Sequence, residues 1–180
     1  MEHADFVQAY QSGSLVLGVN RPGSRRLFTD HSMQELAELT GEDLHLEKLV
    51  ITALLLVSLL LLLLSVGLVV ITYGWWSIGV GPIALALYVL YWMASPRGTS
   101  NGVSISVMFA LGWVEVFSTI VLPTSAALCL AVFVSSLWAN RMTYVLSTSF
   151  ARAAVLRSPT AFSNLASILT IGGEARRDRA

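Results

Sequence analysis

A single carboxylate, Glu115, lies within a long apolar part of the sequence that holds no other charged side chain. At helical spacing it shares one face with small and polar residues: Ser104, Met108, Gly112 and Thr119. A charge at mid-membrane costs about 2.5–3.5 kcal/mol on insertion scales, so such a group usually faces a bundle interior or a water-filled cavity. Two interpretations follow. The face lines a proton or cation path, or the carboxyl group is structural, because it is protonated and bonded to another helix or meets water near the outer interface.

Two further stripes of small or hydroxyl side chains lie in the apolar stretches. Ser58, Ser65 and Thr72 are seven residues apart, which places them on one helical face. They either oppose the Glu115 face or bond to carbonyl groups of their own helix. A ridge of small residues spaced by four lets two helix backbones approach closely, within the chain or between subunits: Ala127, Ala131, Ser135 and Ala139.

Several arginines adjoin the apolar stretches or follow the last one. Guanidinium groups at a membrane surface contact anionic lipid headgroups, or here the acidic N-terminal segment. Because these arginines are not interleaved with exposed aromatic residues, we expect no nucleic-acid binding. The candidates for headgroup or N-terminal contact are Arg97, Arg141, Arg152 and Arg157.

Signals for enzymatic chemistry are weak. The three histidines, His3, His31 and His45, are scattered without the spacing of a metal site. The sequence holds no Gly-rich phosphate loop, and no histidine accompanies Cys129 or a serine in a nucleophile arrangement. We therefore expect no metal, no cofactor and no enzymatic activity.

Composition predicts the elements that position these residues. The chain has 180 residues, of which 55% are hydrophobic and 12% charged, whereas soluble domains carry about 25% charged residues. We expect an all-α integral membrane protein with four transmembrane helices, at 49–72, 78–94, 103–121 and 124–139. The first is uncharged and about 36 Å long as a helix, enough to cross a hydrocarbon core of about 30 Å. A three-span alternative merges the last two segments into a re-entrant hairpin.

The distribution of basic residues predicts the topology. All 11 Lys and Arg residues lie in the N-terminal segment, the 95–102 turn or the C-terminal segment. The other two connections, 73–77 and 122–123, hold none. By the positive-inside rule, both termini face the cytoplasm and the protein lies in the cell (inner or plasma) membrane.

The segments outside the spans are expected to fold. For the N-terminal segment, 1–48, we predict a small α+β structure. It has a strand at 15–19, a turn at 20–23, a returning strand at 24–29, and a helix that Ser32 and Glu35 open with a capping box and Gly41 ends.

For 140–173 we predict amphipathic helices, at 141–157 and from Pro159 to a stop at Gly172, followed by a disordered tail at 174–180. Residues 1–48 carry eight acidic and four basic side chains, and residues 140–180 carry six Arg and two acids. The two segments should therefore pack together, within one subunit or between neighbours.

Two functional hypotheses remain open. The first is a non-enzymatic homo-oligomeric membrane protein whose cytoplasmic segments bind a protein partner or sense the state of the membrane. The second is a homo-oligomeric ion channel or pore-forming effector, with Glu115 and the Ser/Thr faces lining its path. An enzyme is disfavoured because Glu115 lacks a second ionisable partner.

Overall fold

The computed structural model describes residues 2–94, 99–118 and 120–173. These residues are mostly helical (84%). The chain divides into two compact units. The terminal unit comprises residues up to Ile51 together with those from Tyr144 onward, and the helical unit comprises Thr52–Thr143.

The terminal unit is built from short elements at both ends of the sequence. It also contains the start of the long helix α4 (His45–Tyr73) and the end of the long helix α7 (Thr124–Arg157). The short elements are α1 (His3–Gln11), β1 (Leu15–Val19), α2 (Arg21–Asp30), α3 (Met33–Thr40), α8 (Pro159–Asn164), a 3-10 turn (Ala166–Ile168) and β2 (Leu169–Gly173).

Local capping signals determine helix α3, as predicted. The Ser32 hydroxyl accepts a hydrogen bond from the Glu35 backbone N–H at 3.2 Å, and the Glu35 carboxylate accepts one from the Ser32 N–H at 2.7 Å. Gly41 follows the helix with φ +69°, a left-handed conformation that favours glycine. The predicted helix and both of its boundaries are confirmed.

The strand predicted at 15–19 is confirmed as β1, but the returning strand at 24–29 is wrong. Residues 20–23 do not form a turn. Asn20 instead caps α2, with Pro22 in the first turn, where a missing N–H costs nothing. Ser24, Leu27 and Phe28 are buried at spacings of three and four, which is the helical period.

The partner of β1 comes from the other end of the chain. β2 pairs antiparallel with β1, from Leu15 opposite Gly173 to Val19 opposite Leu169. The helix predicted from Pro159 to a stop at Gly172 is therefore wrong beyond Asn164. Ser158 does cap α8, by accepting from the Ala161 N–H, but strand pairing satisfies the backbone that follows.

The two ends of the chain pack together, as predicted, mainly through apolar contact. Phe6 is fully buried, with its ring 4.6 Å from that of Phe162, and the rings of Phe28 and Phe150 are 6.1 Å apart. An ion pair between Arg157 and Glu42, at 3.8 Å, also joins the basic and acidic segments. Strand pairing and aromatic contacts, which the charge pattern did not predict, thus also hold the two ends together.

The helical unit adds a 3-10 turn (Trp75–Gly79), α5 (Val80–Ala94) and α6 (Thr99–Ser118) to its parts of α4 and α7. Its core brings together Leu62, Ala84, Tyr88, Ile105 and Leu137. Two helices, α4 and α7, are long and apolar enough to cross a membrane. The predicted fourth span and the helix predicted at 141–157 are one continuous helix, α7.

The two long helices differ in burial. Only 17% of the apolar window of α4 is buried within the protein, compared with 67% of that of α7. The apolar window of α7 is therefore mostly packed against other parts of the protein, whereas most of that of α4 lies at the surface.

Candidate functional site

Glu115 closes the connection between α6 and α7. One of its carboxylate oxygens accepts hydrogen bonds from the backbone N–H groups of Val121 and Leu122, at 2.5 and 2.8 Å. Two N–H donors on one carboxylate oxygen stabilise both the loop and the carboxylate. This arrangement corresponds to a structural role for Glu115, although its partners lie in the connection after its own helix rather than on a facing helix.

A groove of about 540 Å³ runs beside Glu115. Its lining is almost entirely aliphatic, and Glu115 is the only charged residue in it. Such a lining suits an acyl chain or another apolar side chain better than a hydrated ion. Residues of the lining include Met108, Leu111, Leu130 and Val134.

The polar face predicted around Glu115 does not form one continuous lining. Ser104 is exposed and lies outside the groove. Gly112 is buried against α7, since a Cβ atom added there would lie 3.4 Å from Cα of Ala131. Thr119 lies outside the described residues.

The serine stripe of α4 does face the interior, and it meets a partner that sequence reasoning missed. Ser58 is fully buried; its hydroxyl donates to the Ser136 carbonyl at 2.9 Å and lies 2.6 Å from the Tyr88 hydroxyl. Because the Ser58 proton is used on Ser136, Tyr88 is the donor to Ser58. Ser65 is also buried, whereas Thr72 is exposed.

The small-residue ridge of α7 packs within the chain. All four of its members, Ala127, Ala131, Ser135 and Ala139, are buried. The indole N–H of Trp113 on α6 donates to the Ser135 hydroxyl at 3.0 Å. The small-residue ridge thus lets α6 approach α7 closely.

The four arginines singled out in the sequence are dispersed. Arg141 is buried and Arg152 is half-buried. The Arg157 side chain is largely exposed and contacts Glu42 of the N-terminal segment. Arg97 lies outside the described residues.

The most polar of the cavities described here lies in the terminal unit, where sequence reasoning did not look. This cleft, of about 340 Å³, is lined by polar side chains of Arg26, His31, Asn164 and Ser167. Its apolar lining comes from Leu27, Leu39, Leu165 and Ile168, with Gly23 at one edge. We call it the terminal cleft.

Both ends of the chain build the terminal cleft. The Asn20 N–H donates to the Ile168 carbonyl at 2.8 Å, and Asn164 donates to the Leu39 carbonyl at 3.1 Å. A Cβ atom added to Gly23 would lie 2.6 Å from Cγ2 of Ile168, so glycine is needed for this close approach. Residues about 140 positions apart cannot be paired by local pattern, which is why the sequence did not reveal the cleft.

Within the described residues, no three His, Cys, Asp or Glu side chains gather as a metal site would require. Comparisons with known protein families, with curated proteins and with solved structures find no match for this chain.

Proposed function

We propose that this chain is a non-enzymatic integral membrane protein that crosses the cell (inner or plasma) membrane four times. In this proposal the terminal unit and both termini lie in the cytoplasm, where the unit binds a partner or responds to the state of the membrane. The observation that carries the proposal is the contrast in exposed side chains between the two units.

In the helical unit, large apolar side chains dominate the exposed surface of α4, α5 and α6. Examples are Leu60, Leu63, Ile83, Leu90 and Leu111. A water-exposed surface this rich in leucine would be an aggregation liability, but it suits contact with lipid tails. Exposed Trp75 and Trp76 lie between α4 and α5, where the amphipathic indole ring suits a membrane–water interface.

The terminal unit instead follows the rules of water-soluble folds. Polar side chains cap its helices α2, α3 and α8, the rings of Phe6 and Phe28 are buried, and its two strands are paired. It is small, and it draws on both ends of the chain for its core. A folded module of this kind is suited to binding on the cytoplasmic side rather than to conduction through the bilayer.

The channel alternative has one observation in its favour, the position of Glu115 beside a groove. It requires Glu115 to be available to an ion, whereas one of its carboxylate oxygens takes two backbone N–H groups. Glu115→Gln keeps an acceptor oxygen for those groups but removes the charge. The structural role therefore predicts that Glu115→Gln preserves the fold and changes no ion flux.

The experiment is reconstitution of the full chain in sealed liposomes with an ion-flux assay across a range of pH. We expect no flux above that of empty liposomes for the natural protein or for Glu115→Gln. Flux through the natural protein that Glu115→Gln abolishes would establish the channel and overturn our proposal.

Assembly into a homo-oligomer also remains a prediction. The ridge that suggested it is buried within the chain, so a second copy would have to use other surfaces. Light scattering in detergent measures the mass of the protein component directly. If the protein is strictly monomeric, the homo-oligomer in both functional hypotheses is wrong. The role of the terminal unit would then remain to be established for a monomer.

A further inference from the structure

The terminal cleft carries a cluster of hydrogen-bond donors, and no acidic side chain is among the described residues of its lining. Arg26 on α2 is exposed and, within the described part of the chain, forms no ion pair. Among the described residues that line the cleft there is no Asp or Glu. A guanidinium group in a concave site without a carboxylate is the arrangement that proteins use for planar, bidentate recognition of oxyanions.

Neutral donors complete this set. The Ser167 hydroxyl lines the cleft, and no hydrogen bond joins it to another described residue. The Asn164 amide uses one N–H on the Leu39 carbonyl, which leaves its second N–H for a ligand. His31 also belongs to the lining of the cleft, and its buried Nδ1 atom has no hydrogen-bond partner among the described residues.

The acidic side chains nearest in sequence to His31 make local hydrogen bonds, and the Glu35 carboxylate also interacts electrostatically with His31. The Glu35 carboxylate accepts from the Ser32 backbone N–H, and the Asp30 carboxylate accepts from the Thr29 hydroxyl. Neither residue belongs to the lining of the cleft. Their hydrogen bonds are local, so they do not supply the acceptor that Arg26 lacks.

We propose that the terminal cleft binds an oxyanion of the phosphate class. Arg26 would supply the charge, and His31, Asn164 and Ser167 would supply further donors. The apolar lining of Leu27, Leu165 and Ile168 would hold the carbon skeleton that carries the anion. A volume of about 340 Å³ admits a small phosphate ester or a lipid headgroup.

This inference deepens the proposed function, because it names the class of ligand to which the terminal unit responds. It rests on the proposed function in one respect only, namely that the cleft faces the cytoplasm. A bound anion would join α2 to the segment that leads into β2. The same region contacts the start of the apolar helix, since the Lys48 ammonium group donates to the His31 carbonyl.

The experiment is isothermal titration calorimetry of the full chain in phosphatidylcholine nanodiscs, with inorganic phosphate as the titrant. Sodium chloride at matched ionic strength is the blank for general screening. Two variants remove donors from the cleft, Arg26→Gln and Ser167→Ala. Two matched controls make the same changes outside it, Arg157→Gln and Ser149→Ala, at side chains that are likewise exposed.

We expect saturable phosphate binding that Arg26→Gln weakens roughly tenfold or more, since hydrogen bonds to a charged group are worth about 1.5–3 kcal/mol. Ser167→Ala should weaken it several-fold, and neither control should change it by more than about twofold. Absence of saturable binding to the natural protein, or equal binding by Arg26→Gln and Arg157→Gln, would overturn the inference.

A second arm distinguishes the two sources of phosphate. Phosphatidic acid is added to the nanodiscs, and the phosphate titration is repeated. If the natural ligand is a lipid headgroup, the added lipid reduces phosphate binding to the natural protein but has no effect on Arg26→Gln. If the ligand is a free phosphate ester, the titration is unchanged. Neither outcome depends on the topology of the spans, so failure of this inference is distinguishable from failure of the proposed function.

Discussion

The two units of this protein satisfy the same backbone and packing requirements in different ways. In the terminal unit, polar side chains cap α2, α3 and α8, strands from the two chain ends pair, and phenylalanine rings pack in the interior. In the helical unit, small residues let α6 approach α7, and serine hydroxyls meet Tyr88 and Trp113 inside the bundle. Its large aliphatic side chains lie mostly on the outside.

This difference is what two solvents would impose on one chain. In water, burial of apolar surface drives packing, so large side chains belong inside. In lipid that driving force is absent between helices, so close backbone contact and interior hydrogen bonds hold them together. The terminal unit fits the first regime, and the helical unit fits the second.

The largest expected effect comes from truncating a buried phenylalanine in the terminal unit. Phe6→Ala should destabilise that unit by about 3–5 kcal/mol, because it leaves a cavity against Phe162. Phe117→Ala, at an exposed site on α6, is the matched control. Hydrogen exchange of the α1 and β1 amides in detergent measures the change. Equal protection in both variants would contradict the packing described for the terminal unit.

A smaller but more discriminating effect is expected from lysine at exposed leucines of α4. Leu63 and Leu46 are similarly exposed, at 68% and 72%. If α4 crosses the membrane, Leu63→Lys places a charge in lipid at a cost of about 2.5–3.5 kcal/mol, whereas Leu46→Lys lies near the end of the span. The membrane-integrated fraction after alkaline extraction measures the difference. Equal integration of the two variants would contradict a lipid environment around Leu63.

Removal of the Tyr88 hydroxyl should cost less. Tyr88→Phe deletes one hydrogen bond to Ser58, which keeps its bond to the Ser136 carbonyl. Interhelical hydrogen bonds in membranes average about 0.6 kcal/mol and reach about 1.7 kcal/mol. Unfolding in mixed micelles with increasing denaturing detergent measures the loss, with exposed Tyr73→Phe as control. If Tyr88→Phe unfolded at no lower detergent fraction than Tyr73→Phe, the hydrogen bond between Tyr88 and Ser58 would contribute nothing to stability.

The smallest effect is a pH dependence of helix α3. The backbone N–H and the hydroxyl of Ser32 lower the pKa of Glu35 from its usual value of 4.5. Because the folded-state pKa lies below the unfolded one, the stability contributed by the capping box is fully present above pH 4.5. It is lost as the pH falls through the folded-state pKa.

The chemical shift of the Ser32 amide proton follows this titration. We expect a midpoint below 4.5 in the natural protein and a flat profile in Glu35→Gln. A midpoint at or above 4.5 in the natural protein would contradict the capping box.

How far the sequence predicts this structure depends on the range of each interaction. The Ser32 and Glu35 capping box and the Gly41 stop are set by neighbours within four residues, and all were predictable. The period of seven placed Ser58 and Ser65 on one face, but it could not identify Tyr88, which comes from another helix.

Non-local pairing accounts for the errors. Gly172 and Gly173 read locally as a helix stop, yet they pair with Val16 and Leu15 in the sheet. Glu115 stood out as an isolated charge in an apolar stretch. Its carboxylate accepts hydrogen bonds from the backbone N–H groups of Val121 and Leu122. These bonds depend on how the chain turns after α6, which composition does not specify.

The proposed topology has the terminal unit and the α4–α5 connection on opposite sides of a membrane. It is tested by single cysteines at Glu38 and Trp76, both exposed, in a Cys129→Ser background. A membrane-impermeant maleimide is applied to sealed vesicles with the cytoplasmic face outward, and separately to vesicles with that face inward. We predict labelling of Glu38→Cys only in the first and of Trp76→Cys only in the second. Labelling of both sites from the same side would contradict the account.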